Sequence, residues 1–191
     1  MHNLEPYYNW IHFYSSEEDP QSPFFGREHS EFEYTDSIYN HYIHPQWDYF
    51  GSETLYLKVI YANYEKGIAF IEFIGEWNDC LYNDIMFLKR DVLEHLMENG
   101  IHKFILIGEN VLNFHYSDDS YYEEWFEEVL DQDGYIVLLN FREHVLQEFK
   151  AGGIEQYFLS GDGFKKVNWR TEDPLKIAEN LDKFVQLKLG Q

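Results

Sequence analysis

From Thr54 onward the chain is a succession of short apolar blocks and amphipathic stretches. Residues 54–61 (Thr-Leu-Tyr-Leu-Lys-Val-Ile-Tyr) and 68–74 are β-branched and aromatic, and predict two strands. Between them Asn63-Tyr64-Glu65-Lys66-Gly67 predicts a hairpin turn, with Gly67 supplying a positive φ. Across 83–99 the apolar residues Ile85, Leu88, Val92, Leu93 and Leu96 fall on one helical face, and Asn99-Gly100 marks the stop. Residues 103–107 predict an apolar strand, 120–131 a helix, 135–139 a further strand, 141–150 a helix ending at Gly152-Gly153, and 156–159 a short fifth strand. Pro174 opens a last helix to about Leu187, striped with Ile177, Leu181, Phe184 and Val185. The order β-β-α-β-α-β-α-β-α predicts an α/β fold: right-handed crossovers and a mixed, mostly parallel sheet with an opening β-hairpin.

The first 53 residues follow another pattern. They hold fourteen aromatics and ten acidic residues, with Arg27 as the one Lys or Arg and very few Val, Leu or Ile. Stretches 15–23 and 44–52 are rich in Pro, Gly, Ser and acids and read as loops, while Glu31-Phe32-Glu33-Tyr34 alternates like a short half-buried strand. We expect residues 1–53 to form an extension that packs through its rings on a domain spanning 54–191, because each buried ring removes roughly 150–250 Å² from water.

Composition narrows the functional classes. A chain of 191 residues with 35 Asp and Glu against 14 Lys and Arg carries a formal charge of -21. Nucleic acid and anionic membranes are poor partners for such a surface, since phosphate binding needs clustered cations. Sixteen Phe, sixteen Tyr and five Trp exclude a disordered acidic tail. Cys80 is the only cysteine, which excludes an internal disulfide framework and a Cys-based zinc site and suits a reducing compartment. The start, Met1 to Pro6, lacks a basic n-region and an apolar h-region, and no run reaches the ~18 apolar residues of a span, so the expected location is cytoplasmic.

Three stretches resemble the STAS domain family, the fold of the anti-sigma-factor antagonists. Gly67-Ile68-Ala69-Phe70-Ile71-Glu72-Phe73-Ile74-Gly75-Glu76-Trp77-Asn78 is similar to that family's second strand and its Gly-Glu turn. Gly100-Ile101-His102-Lys103-Phe104-Ile105-Leu106-Ile107 is similar to the strand entering the regulatory loop, and Gly134–Asn140 with Val145–Ile154 to the last strand and its glycine-terminated helix. The likeness covers about residues 54–160. It implies a binding module without cofactor or catalysis. The family's Asp-Ser-Ser-Gly phosphoserine motif is altered here to His115-Tyr116-Ser117-Asp118-Asp119-Ser120-Tyr121-Tyr122-Glu123, without the glycine.

Candidate chemistry is sparse. Ser120-Tyr121-Tyr122-Glu123 fits a capping box, and the acids around Ser117 and Ser120 would repel a phosphate, so neither serine is expected to be a phosphosite. Loops after parallel strands converge on one sheet edge, where open α/β sheets bind ligands. The candidate binding residues there are Glu76, Trp77, Asn78, Glu109, Asn140 and Arg142, accompanied by Asp79, Asn110 and Asn113. Asn78, Asn83 and Asn140 also suit helix N-caps, and Trp77 suits an exposed partner anchor. His115 with Asp118, Asp119 and Glu123, and the pair His41 and His44, lack metal-ligand spacing, so no metal is expected. Cys80 has no evident His partner, and Gly161-Asp162-Gly163 reads as a turn rather than a phosphate loop.

The expectation is therefore a STAS-like, non-enzymatic module that binds another protein and takes no cofactor. Two alternatives stand beside it: a small acid-base hydrolase using Glu76, Asp79 and Glu109, and a structural homodimer.

Overall fold

The computed structural model describes residues 4–30, 32–39 and 41–189. A two-stranded antiparallel hairpin, β1 (Ser37–Ile38) and β2 (His41–Tyr42), precedes a four-stranded sheet of β3 (Leu55–Asn63), β4 (Ile68–Asn78), β5 (Lys103–His115) and β6 (Tyr135–Leu139). The sheet order is β3-β4-β5-β6, with β3 antiparallel to β4 and the other two pairs parallel. The expected mixed, mostly parallel α/β sheet is what forms. The turn between β3 and β4 closes as its residues require: Asn63 Oδ1 accepts from Lys66 N at 2.9 Å, and Gly67 takes φ +64°, where a Cβ would fall 2.0 Å from the His102 ring.

Helices α1 (Asp79–Tyr82), α2 (Asp84–Phe87) and α3 (Glu94–Glu98) lie between β4 and β5, with α2 and α3 joined by a π-helical stretch, Leu88–Leu93. Then follow α4 (Ser120–Leu130), α5 (Glu143–Ala151) and α6 (Pro174–Leu189). Period-two alternation splits the sheet residues between two faces. Ile71, Phe73 and Trp77 of β4 share the inner core with Phe104 and Leu106 of β5 and the stripe Ile85, Leu88, Val92, Leu93 and Leu96. Phe70, Ile105, Val137 and Leu139 face the other way, onto Trp10, Trp169 and the α6 residues Ile177, Leu181 and Val185. Trp10, from the aromatic first part of the chain, meets Phe70 edge-on at 5.5 Å and Trp169 at 5.3 Å.

Three expected elements differ. The fifth strand reduces to a single bridge, Leu159 to Val137, and the residues before it form a 3-10 turn, Ile154–Tyr157. Gly161, at φ +109°, turns the chain away so that Phe164 and Trp169 can fill the outer face. The strand expected at 31–34 is absent over 32–34, where Phe32 is exposed, and Glu31 lies outside the described residues. Most consequential, β4 and β5 run past their apolar centres, pairing as far as Asn78 with His115. Glu76, Trp77, Asn78, Glu109, Asn110 and Asn113 are thus strand residues, not loop residues. Among the described residues, no helix is long and apolar enough to cross a membrane.

Candidate functional site

The candidates at the strand ends divide into separate groups. Glu76, near the end of β4, is largely buried. Its carboxylate accepts from the Tyr39 hydroxyl and from Asn78 Nδ2 at 3.0 Å, and lies 3.5 Å from His115 Nε2. Burial pushes this carboxyl up, but the Tyr39 and Asn78 hydrogen bonds and the His115 contact outweigh it and hold the pKa below the usual value. Asn78 caps α1, its Oδ1 accepting from Leu81 N at 3.0 Å. Glu76, Asn78, Cys80, His115, Tyr116 and Glu148 line a wide hollow of about 410 Å³.

Glu109 belongs to a different cluster. On the neighbouring strand Glu76 pairs with Asn113, so Glu109 lies four residues back, roughly 13 Å at ~3.3 Å per residue. Its Oε1 accepts from Asn140 Nδ2 at 2.7 Å and Trp169 Nε1 at 3.0 Å, and its Oε2 meets Arg170 Nη1 at 2.6 Å. Arg170 also reaches the buried Glu72 at 3.4 Å, which accepts from Tyr7 N at 2.8 Å. Burial dominates at Glu72 and raises its pKa to about 7 despite those two partners. Asn140 is not a helix cap. At φ +55° it clamps the following segment, donating to Val167 O and accepting from Val167 N, both at 2.8 Å. Arg142 takes the N-cap position of α5 and donates Nε to Glu109 O at 3.0 Å.

Trp77 does not anchor a partner from a loop. It is fully buried on β4, stacked near Tyr122, with Phe73, Phe114 and Phe149 around it. Its Nε1 donates to Asp79 Oδ1 at 3.1 Å. The buried Asp79 also accepts from Ile85 N at 2.8 Å and from the Tyr122 hydroxyl at 2.5 Å. Asp84 accepts from Asn78 N at 2.7 Å. Desolvation raises Asp79 to about 7 and Asp84 to about 6, each beyond what its hydrogen bonds recover. These acids tie the start of the helical layer to β4. An exposed acid-base pair facing a cleft is not what Glu76, Asp79 and Glu109 form.

The capping box at Ser120 is also corrected. Asp119 holds the N-cap position of α4, and its carboxylate is taken by the Tyr157 hydroxyl at 2.7 Å rather than by the helix. Ser120 is the first helical residue and donates its hydroxyl to Asp118 Oδ1, which also accepts Ser120 N at 3.2 Å.

One charge cluster was missed in the sequence. Glu17, His29 and Asp48 offer ligand atoms within 4.8 Å of one another, the one such His/Cys/Asp/Glu group among the described residues. Two cations already neutralise it: Lys58 bridges Glu17 and Asp48, and Arg27 lies 3.4 Å from Asp48. Beside it opens a cavity of about 390 Å³ lined by Tyr7, Tyr14, Glu17, Arg27, His29 and Lys58. The signal was there: Lys58 is the lone charge in the apolar strand 54–61, as Glu72 is in 68–74. A charge kept within a buried strand must have a partner, and both do. The partners come from far along the chain, so their identity was not legible. No family model matches this chain, and a search of curated proteins finds no match.

Proposed function

We propose that the chain is a non-enzymatic module of STAS-like type that binds a basic protein through the acidic, ring-bearing surface of residues 1–53. The observation that carries this reading is the location of exposed rings: Phe32 is 83% exposed, Tyr39 68% and Tyr42 47%, all within that stretch. Single exposed rings are ordinary, but their concentration in a stretch whose acids, apart from the paired Glu17 and Asp48, outnumber its one arginine favours an interaction surface. Rings anchor partners well, and a Lys or Arg cation gains from an aromatic face as well as from a carboxylate. The chain pairs its own cations this way. Arg170 lies 4.3 Å from the Trp169 ring centroid while bound to Glu109, and Arg27 lies 4.8 Å from that of Phe24 while bound to Asp48.

The STAS-like part of the reading rests on the antiparallel β3–β4 edge followed by parallel strands with intervening helices. It includes the first 53 residues as an extension to a domain from 54 and a cytoplasmic setting. A homodimer fits less well, because a charge of -21 on each copy opposes self-association. The hydrolase alternative fits less well because Glu76, Asp79 and Glu109 are held in separate hydrogen-bond networks.

The test is capture from native-host lysate with the full chain as bait, at low and high salt, followed by direct affinity measurement. A basic protein should be captured at low salt, released at high salt, and bound at least tenfold more weakly by a Phe32→Ser, Tyr42→Ser double variant. Capture indifferent to both salt and the substitutions would refute the proposal.

A further inference from the structure

We infer a second site, which shares Tyr42 with the proposed protein-binding surface: a pocket for a small carboxylic acid with an aliphatic tail, its head bound by Arg142. The pocket has a volume of about 310 Å³ and lies between the β1–β2 hairpin and the far ends of β4 and β5. Ile38, Tyr42, Ile43, Ile74 and Leu112 form its walls, with His41, Asn110 and Arg142 as its polar lining groups. Its size stands at the lower end of small-ligand sites, roughly 300–1,000 Å³. Branched aliphatic walls suit a flexible hydrocarbon tail.

Arg142 supplies the ligand's sign. Arg27, Arg90 and Arg170 all meet carboxylates, whereas Arg142 is the one arginine among the described residues that meets none. That is unexpected in a chain with 35 acids. The reason is local. The neighbouring carboxylate, Glu109, is committed to Asn140, Trp169 and Arg170, and offers Arg142 only its main-chain oxygen, to Nε at 3.0 Å. The two Nη nitrogens remain to receive an acceptor, and a guanidinium fork matches one carboxylate in two parallel hydrogen bonds. A polyanion would be repelled by the chain's overall charge, and Arg142 is the one Lys or Arg that lines the pocket. One negative head on one apolar tail is the chemistry that remains.

The experiment titrates the full chain by calorimetry with octanoate, with octan-1-ol as the uncharged counterpart, and with a short peptide ending in a leucine carboxylate. Octanoate should bind at least tenfold tighter than octan-1-ol. Arg142→Gln should abolish that preference while leaving octan-1-ol affinity unchanged. Leu112→Trp, which fills the pocket from a half-buried position, should weaken both ligands at least tenfold, with thermal melting confirming that each variant folds. Equal binding of the two probes, octanoate affinity unmoved by Arg142→Gln, or no octanoate binding in the millimolar range overturns the site. Tighter binding of the peptide than of octanoate overturns the small-molecule assignment. None of these results depends on whether residues 1–53 bind a basic protein.

Discussion

Lys89 sits fully buried in the π-helical stretch, its Nζ 2.8 Å from Glu128 Oε2 and 3.1 Å from Glu94 Oε1, with Glu124 at 3.7 Å. The three acids remain partly exposed, so they can return to water if the lysine is lost. Removing one partner of a buried ion pair is costly when the charge left behind is itself buried, but here the lysine is the only fully buried member. Lys89→Met is therefore expected to hold or raise the melting temperature. Lys89→Glu would instead bury an uncompensated charge beside three others and cost about 3–5 kcal/mol, read by urea denaturation. Ser120 is the converse case, a residue whose sequence context promises more than its contacts deliver. A capping serine would lose ~0.5–2 kcal/mol on substitution by alanine. Since Ser120 Oγ serves only the exposed Asp118, Ser120→Ala should change unfolding free energy by less than about 0.5 kcal/mol.

Trp10 is the joint between the aromatic first segment and the outer face of the sheet. It is 2% exposed, packs on Phe70 and Trp169, and donates Nε1 to Glu172 O at 3.2 Å. Trp10→Ala should cost about 3–5 kcal/mol, seen as a lower urea midpoint at an unchanged slope. At the scale of elements, the centres of the strands were legible because a sheet covered on both faces reads as continuous apolar runs, as in Phe104 to Ile107 and Tyr135 to Leu139. The helices of the inner layer were legible from their stripes. The outer halves of β4 and β5 were not, because Glu76, Asn78, Glu109 and Asn113 look like turn residues. Glu76 and Glu109 are held there because Tyr39, Asn140, Trp169 and Arg170 satisfy them from remote parts of the chain. Local pattern carries no information about a partner more than thirty residues away. The candidates read as loop positions, Glu76, Trp77, Asn78 and Glu109, are strand residues instead, and the set splits into groups that the sequence did not distinguish.

For the whole molecule, three buried acids set the response to pH. Glu72 and Asp79 titrate at about 7 and Asp84 at about 6 when folded, against 4.5 for Glu and 3.8 for Asp as ordinary values. Between those limits the folded chain binds protons that the unfolded chain has released, so stability falls as pH rises from about 4 to about 7. Glu17, Glu76, Glu94 and Asp118 are shifted the other way and lose their contribution as pH drops below the usual carboxylate range. The melting temperature should peak at about pH 4 and drop by roughly 5 °C or more at pH 8. Asp79→Asn, whose amide oxygen can still accept from Trp77 and Ile85, should flatten that slope, and a slope unchanged in this variant would remove Asp79 as a cause. One further consequence follows from the way Trp10 and Trp169 close the same face, with Tyr7 bonded to Arg170 and Trp10 to Glu172. That face cannot be sealed while the ribosome is still making the middle of the chain. Until Trp169 emerges, a nascent polypeptide carries Phe70, Ile105, Val137 and Leu139 without their cover. Contacts of such long sequence separation form late and slowly, so chains halted before residue 169 are expected to aggregate more readily than the full chain.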